Sequence, residues 1–242
     1  MVFGKMNNLN VLYEDNHIIV VEKEPDILSQ SDITGDPDLL TIVKVYIKEK
    51  YNKPGNVYIG LVHRLDRPVG GIMVFARTSK AAKRLNEQIK NHEFSKKYLV
   101  LLDGILKEKQ NKLTNYLYKD EKTGKSKVVD KNHPLGKLSE LEYEVIDYFN
   151  DKSLVKVNLI TGRHHQIRLQ FSNMGHPIYG DQRYGNKTPE KIHLFAYNLE
   201  FKHPVTKEIL SFKLLPKWKE IEDETIIHRL WWCYFRYYDQ NI

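Results

Sequence analysis

The stretch LVHRLDRPVGG, residues 61–71, places four charged or titratable side chains between apolar neighbours. An apolar pair opens it, and residues 70–77 continue from it in the pattern of a buried strand. Its two closing glycines permit a close backbone approach, or dihedral angles that other residues avoid. Such a loop can present a carboxylate, here Asp66, in a cleft; a salt-bridged surface turn is the simpler alternative.

A second polar segment, LITGRHHQIR at residues 159–168, leads from a predicted strand into a predicted helix. Its turn places Arg163 and two histidines at the helix N-terminus, where free N–H groups and the helix dipole attract anions. An arginine there strengthens the attraction for phosphate or carboxylate. We expect His164 and His165 to point apart on this helix, and His164 to share a face with Arg168.

Strand patterns recur from about residue 10 to residue 215. Single strands are predicted at 11–13, 18–22, 70–77, 98–102, 141–146 and 155–159, and hairpins at 113–132 and 198–215. The first hairpin turns at Thr123-Gly124 and carries Lys119, Lys122, Lys125, Lys127 and Lys131. These lysines form either a solvated surface or an arm that follows phosphates, and the sequence leaves both open.

Three helices are predicted between these strands. The first has Pro37 in its first turn, with an inner face made by Leu40, Val43, Ile47 and Tyr51. Ser79 caps the second, and its inner face is Ala81, Leu85 and Ile89. The third turns Ile167, Phe171 and Met174 inward and stops at Gly175. Short strands with few helices favour an α+β domain over a doubly wound sheet.

Composition limits the class of protein. Lys and Arg total 38 and Asp and Glu 31, and the formal net charge of +7 favours a polyanionic partner such as RNA. A single cysteine, Cys233, excludes an intrachain disulfide and a cysteine-based zinc cluster. We find no pattern for a signal peptide or membrane span. We therefore expect a cytoplasmic protein without a membrane partner.

Taken in order, the motifs resemble those of the RluA-type family of RNA pseudouridine synthases. His63-Arg64-Leu65-Asp66 is similar to that family's signature around its catalytic aspartate, and Lys97-Tyr98 to its lysine–tyrosine motif. Thr161-Gly162-Arg163, followed by His165-Gln166-Ile167-Arg168, is similar to its third motif. Shorter matches follow at Gly175, Pro177-Ile178, Gly180-Asp181, His193, Ala196, His203-Pro204 and Pro216.

The resemblance implies an α+β pseudouridine synthase fold, with a mixed, mainly antiparallel sheet, flanking helices and a central active-site cleft. It also implies that uridine in ribosomal or transfer RNA is isomerised to pseudouridine. The N1–C1′ bond breaks, the base turns and C5 bonds to C1′, so neither a cofactor nor a metal is required. Asp66 acts as nucleophile or as base toward the ribose, Arg168 supplies a cation beside it, and Tyr98 packs against the base and helps remove the C5 proton.

The predicted substrate-binding residues are Arg64, His63, Arg163, His165, Gln166 and Lys97. Arg64 can fill the space that the target base vacates, and Arg163 can contact phosphate at the helix end. For His63 and His165 we favour a buried structural role over direct participation.

The chain also departs from the family pattern. Val69-Gly70-Gly71 stands where the family usually has Thr-Ser-Gly, His164 replaces a more usual threonine, and Glu24 interrupts a Lys-Pro pair. Many relatives begin with a small S4 RNA-binding domain, whereas here the catalytic pattern starts near residue 10. We therefore expect RNA affinity to come from the catalytic domain, residues 1–220, or from the tail, residues 221–242.

Two other functions compete with this interpretation. A metal-dependent hydrolase could use Asp66 with nearby histidines, but these lack the usual ligand spacing. A non-catalytic RNA-binding or ribosome-assembly protein of the same fold is expected to have lost Asp66, Tyr98 or Arg168, and all three are present.

The tail is rich in aromatic residues, and Ile227, Leu230, Tyr234 and Tyr238 recur at helical spacing. It is a docked helix, a stacking platform for bases or a self-association surface. We favour the docked helix and a monomer.

Overall fold

The computed structural model describes residues 9–230. In chain order its elements are β1 (Val11–Glu14), β2 (Ile18–Lys23), α1 (Leu39–Lys50), β3 (Gly60–Leu61), β4 (Gly70–Ala76), α2 (Ser79–Lys90), β5 (Ser95–Asp103), β6 (Gln110–Lys119), β7 (Ser126–Val129), β8 (Lys137–Phe149), β9 (Lys152–Leu159), α3 (Gln166–Asn173), β10 (Leu194–Lys202), β11 (Ile209–Lys213) and a 3-10 helix (Lys219–Ile221). The described chain divides into two compact units. The first comprises residues 9–96 and 196–214, and the second residues 97–195 and 215–230.

The first unit is built on the strand order β1-β2-β4-β10, with β3 also paired to β4 and β11 to β10. The pairings of β1 with β2, β2 with β4, β3 with β4 and β10 with β11 are antiparallel. All seven residues of β4 are buried, so this strand is covered on both faces. Its core packs Ile72 and Val74 against Leu85 of α2 and against Phe94 and Phe201.

Both helices of this unit begin with a side-chain cap. Asp38 caps α1 by accepting a bond from Thr41 N at 3.0 Å, so Pro37 lies before the helix, not in its first turn as predicted. The buried residues of α1 are Leu39, Val43 and Ile47, whereas the predicted Leu40 is half-buried and Tyr51 is exposed. Thr78, not the predicted Ser79, caps α2.

The second unit has the strand order β5-β9-β8-β6-β7, and every pairing in it is antiparallel. The predicted hairpin turning at Thr123-Gly124 is the β6–β7 hairpin. The helix α3 directs Ile167 and Phe171 inward as predicted, while Met174 is its C-terminal cap and only partly buried. Mixed strands and few helices in both units confirm the α+β class.

Residues 224–230 are helical and pack within the second unit. Ile226 and Leu230 are buried, and Arg229 Nη1 donates to Asp147 Oδ2 at 2.9 Å. The aromatic residues of the tail from 231 onward lie outside the described residues. Within residues 9–230, no helix is long and apolar enough to cross a membrane.

Candidate active site

Asp66 lies in the loop between β3 and β4 of the first unit. A backbone bond from Val69 N to Asp66 O, 3.0 Å long, closes the turn. Leu65 and Val69 on either side are buried, while Asp66 is partly exposed. The apolar residues therefore fasten the loop to the core, and the carboxylate stays near the surface of its unit.

Lys23, the last residue of β2, holds the carbonyl groups of this loop. Its side chain is fully buried, and Nζ donates to Val69 O at 2.7 Å and to Arg67 O at 3.0 Å. Burial lowers the pKa of Lys23 to about 7, although the negative charge of Asp66 raises it. A buried amine thus braces the loop backbone within electrostatic reach of the carboxylate.

Ser29 holds the same loop at the residue before Asp66. Its Oγ donates to Leu65 O at 2.7 Å and accepts from Leu65 N at 3.1 Å, and the residue is buried. Asp26, in the left-handed conformation with φ 68°, donates its N–H to Arg67 O at 2.8 Å. The segment after β2 therefore fixes the loop carbonyls along their length, which satisfies the requirement that buried backbone groups be hydrogen-bonded.

His63 supports the loop by packing into the unit. Its Nε2 accepts a bond from Val74 N at 3.1 Å, and its ring meets Phe94 edge-on at a centroid distance of 6.5 Å. Burial, and secondarily the charge of Lys96, lowers the pKa of His63 to about 3. A neutral imidazole whose Nε2 is occupied by a strand N–H favours the structural role over substrate binding.

Gly71 explains one of the two glycines that close the loop. Its φ is +132°, and a Cβ at this position would overlap Ala196 O and lie 2.6 Å from Ala196 N. Only glycine lets β4 approach β10 this closely directly after the Asp66 loop.

In the second unit, Gln166 organises the start of α3. Its Oε1 accepts from Thr161 Oγ1 at 2.8 Å and from Arg163 N at 3.0 Å. Its Nε2 donates to Glu140 O at 3.0 Å and to Gln170 Oε1 at 2.9 Å. The residue is only 2% exposed and both amide atoms are bonded inside the unit, so Gln166 supports the turn that carries Arg163.

The paired histidines before α3 differ from the prediction. They do not lie on the helix, because α3 begins at Gln166 and His165 adopts the left-handed conformation with φ 53°. The predictions that they point apart, and that His164 shares a helical face with Arg168, are therefore wrong. Their rings stack at a centroid distance of 3.7 Å, with His164 Nδ1 bonded to Ser126 Oγ at 2.8 Å and His165 Nδ1 to Tyr184 OH at 2.9 Å.

Arg168 is buried on α3 and is held by Asp181. Nε donates to Asp181 Oδ2 at 2.8 Å and Nη2 to Oδ1 at 2.7 Å, in the bidentate geometry of a strong charge-assisted pair. Burial acts to raise the pKa of Asp181, but the Arg168 guanidinium outweighs it and keeps that pKa below its usual value. The guanidinium also lies 5.3 Å from the centroid of the Tyr184 ring. Its plane is therefore fixed on two sides.

The remaining predicted site residues are divided between exposed and buried positions. Arg64 is exposed in the first unit. In the second unit, Arg163 is exposed and its Nε donates to Leu138 O at 3.0 Å. Lys97 and Tyr98 lie on β5, the lysine half-buried and the tyrosine 7% exposed.

Comparison with known proteins identifies the family. A family model described as RNA pseudouridylate synthase matches residues 17–173. The dual-specificity RNA pseudouridine synthase RluA of Pasteurella multocida is 33% identical over 215 residues, which cover 86% of this chain and 93% of that protein.

This chain belongs to the RNA pseudouridine synthase family. An uncharacterized RNA pseudouridine synthase of Aquifex aeolicus is 32% identical, over 85% of this chain and 69% of that protein. The ribosomal large subunit pseudouridine synthase C of Buchnera aphidicola from Acyrthosiphon pisum is 32% identical, over 82% of this chain and 64% of that protein. The protein is therefore an isomerase that converts uridine to pseudouridine in RNA, and RNA is its partner.

Two solved structures show that relatives share the fold. Human RNA pseudouridylate synthase domain containing 4 aligns with a TM-score of 0.72 at 20% identity, over 91% of each chain. Human RNA pseudouridylate synthase domain containing 1 aligns with a TM-score of 0.71 at 23% identity, over 93% of this chain and 90% of that one.

Sequence patterns did not assign roles to three residues that now stand beside the synthase motifs. Lys23 and Ser29 brace the Asp66 loop, and Asp181 holds Arg168. For Asp181 a signal existed, since a buried arginine in a family motif needs a carboxylate partner. Among residues 9–230, no three His, Cys, Asp or Glu side chains lie together in a way that could hold a metal ion.

Proposed function

We propose that this protein isomerises uridines in ribosomal RNA, transfer RNA or both, with Asp66 as its catalytic carboxylate. The observation that carries the assignment is the bracing of the Asp66 loop by buried donors. Lys23 and Ser29 bond to the loop backbone on both sides of Asp66. Such a network fixes the position of a partly exposed carboxylate before substrate binds, and a group fixed in advance avoids reorganisation at the reaction step.

The substrate class follows from the names of the relatives. One similar relative is named as a dual-specificity enzyme and another as a large-subunit ribosomal enzyme. Both names point to uridines in structured cellular RNA. Mapping pseudouridine at single-nucleotide resolution, in cells with and without the gene, identifies the RNA and the position.

Asp66 acts on the ribose in its ionised form, as nucleophile or as base. Arg168 supplies the cation that the family resemblance assigns to Asp66, and Asp181 holds that guanidinium in one plane. Tyr98 packs against the target base and assists removal of the C5 proton.

RNA binding draws on cations in both units. The target uridine leaves its stack at a cost of a few kcal/mol, and the exposed guanidinium of Arg64 takes the vacated place. Arg163, exposed before α3, contacts phosphate, and Lys97 adds a positive charge beside Tyr98. His165, bonded to Tyr184, supports this region from within the unit.

The enzyme is proposed to work as a monomer in the cytoplasm, without cofactor or metal. A single cysteine fits a reducing compartment, and isomerisation requires neither an oxidant nor a co-substrate. Light scattering of the purified protein measures its mass and so tests whether it is a monomer. Activity on a short unstructured RNA after EDTA treatment tests whether a metal is required.

Asp66→Asn tests the catalytic assignment, because it preserves shape and removes the charge. With 5-tritiated RNA from cells that lack the gene, tritium release is expected to fall at least about a thousandfold, as for loss of a central catalytic group, while RNA affinity is retained. Asp32→Asn, at an exposed position in the same unit, is the matched control and should release tritium at the wild-type rate. Wild-type activity in Asp66→Asn overturns the assignment. No release from the wild-type protein favours the non-catalytic alternative.

A further inference from the structure

The tip of the β6–β7 hairpin is an ordered turn. Asp120 Oδ1 accepts from Lys122 N at 2.8 Å and from Thr123 N at 3.2 Å. Backbone bonds from Asp120 N to Lys125 O and from Gly124 N to Asp120 O, both 2.8 Å, close the turn. The carboxylate of Asp120 is thus committed to the backbone, which keeps its pKa below the usual value.

The hairpin presents positive charge next to an aromatic ring. The exposed lysines around its turn are Lys119, Lys122, Lys125 and Lys127. Lys127 Nζ lies 5.8 Å from the centroid of the half-buried Tyr118 ring, directly across the strand pair. Surfaces that hold phosphates and stack bases combine cations with aromatic rings.

Three contacts fasten this hairpin to the chain around α3. Ser126, the first residue of β7, is buried, and its Oγ bonds to His164 Nδ1 at 2.8 Å. Ser126 N donates to Tyr184 OH at 3.4 Å, and Arg183 Nη2 donates to Gly124 O at 2.8 Å. We call these five residues the hairpin anchor.

The anchor determines where the hairpin points. Among the described strands, β7 ends the strand order of its unit and pairs with β6, and a two-stranded ribbon is marginally stable by itself. The anchor is also joined to the Arg168 pair, because Asp181 Oδ1 accepts from Arg183 N at 2.9 Å and from Tyr184 N at 3.2 Å. The Asp181 carboxylate therefore binds both Arg168 and the segment 183–184, which is bonded to the hairpin.

We propose that His164 is the residue that positions the β6–β7 hairpin for its contact with RNA. Lys125 and Lys127 contact the phosphates of the substrate RNA, and the bond from Ser126 to His164 holds them in register with the rest of the unit. The inference rests on the proposed function, since it assumes that RNA is the substrate. The inference also assigns a role to His164, which stands where the family usually has a threonine.

His164→Phe tests the inference, because phenylalanine can stack on His165 but cannot bond to Ser126. Affinity is measured by anisotropy with a fluorescein-labelled RNA stem-loop whose loop contains uridines, and turnover by tritium release. We expect His164→Phe to raise KM about fivefold to tenfold with kcat unchanged, and to flatten the salt slope of binding by roughly one unit per lost phosphate contact. His164→Asn, whose amide can replace Nδ1, should restore KM to within about twofold, because it remakes the hydrogen bond.

The lysines complete the test. Lys125→Ser with Lys127→Ser should flatten the salt slope by about two units in the wild-type background, and by clearly less when combined with His164→Phe, since residues in one network are not additive. Lys48→Ser with Lys90→Ser, exposed positions in the first unit, controls for net charge. Full additivity, or a loss of kcat without a change in KM, overturns the inference. Because Asp66→Asn abolishes turnover and leaves binding intact, failure of the arm and failure of the catalytic assignment give different results.

Discussion

The loop that carries Asp66 and the turn that leads to Arg168 are held in place by different kinds of bond. Around Asp66, buried side chains bond to backbone groups, as Lys23 and Ser29 do. At α3, side chains bond to one another, and Asp181 binds the candidate catalytic residue Arg168 itself. The first arrangement fixes the path of the chain, whereas the second fixes the orientation of one guanidinium. Substitutions of these residues should therefore lower the free energy of unfolding by different amounts in the two regions.

Asp181→Ala is expected to have the largest effect, because it removes the carboxylate that holds the buried Arg168 guanidinium through two charge-assisted hydrogen bonds. Breaking a buried pair from one side costs about 3–5 kcal/mol, which urea unfolding measures. Asp147→Asn is the matched control, since the Asp147–Arg229 pair is largely exposed and such pairs contribute under about 1 kcal/mol. If Asp181→Ala costs no more than Asp147→Asn, the buried bidentate pair adds no more stability than the Asp147–Arg229 pair, and the contrast between the regions fails.

Lys23→Met sharpens the comparison through pH. Folding lowers the pKa of Lys23 from 10.5 to about 7, so between these values the unfolded chain binds more protons than the folded protein. Stability from this group therefore rises with pH across that window. From pH 7 to pH 9.5, the free energy of unfolding of the wild type relative to Lys23→Met should rise by about 3 kcal/mol.

The measurement is urea unfolding of both proteins at each pH. Lys48→Met, at an exposed position, is the matched control for the loss of a lysine. A constant difference between wild type and Lys23→Met would mean that the amine stays protonated, and that Lys23 braces the loop as a full charge.

The sequence predicts most of the fold because hydrophobic periodicity reports burial directly. It locates β2, β4 and the β6–β7 hairpin, and it fails where two local signals compete. Pro37 and Asp38 both suit a helix start, and the aspartate determines the boundary because its side chain bonds to Thr41 N. The division into two units depends on long-range packing, which leaves no local pattern.

For the candidate site, the motifs supplied Asp66, Tyr98 and Arg168 through resemblance, whereas the bracing could not be predicted. Lys23 and Ser29 bond to backbone groups 36 to 46 residues away. Because nearly every residue type offers the same backbone groups, the sequence at the bonded positions gives no sign of these bonds. The stacking of the two histidines depends on a positive φ at His165. Only a few per cent of non-glycine residues adopt that conformation, and the enrichment of histidine among them is too weak to predict it.

Ser29→Ala is the smallest change and the closest test of what the loop bracing does. It removes one hydroxyl and leaves Leu65 N and Leu65 O, both held by Ser29, without that partner. A buried unsatisfied group costs about 1–3 kcal/mol, so a modest loss of stability is expected whether or not the brace matters for chemistry.

Turnover separates the two cases when it is measured well below the melting temperature of both proteins. If the brace positions Asp66, kcat falls about tenfold with RNA affinity unchanged, since a small misplacement of a reacting group is costly, and Ser29→Thr, which keeps the hydroxyl, recovers most of it. If stability falls and kcat does not, the hydrogen bonds of Ser29 stabilise the fold without positioning Asp66 for catalysis. The backbone bonds around Asp66 then differ in function from the Asp181–Arg168 pair, which holds a candidate catalytic side chain directly.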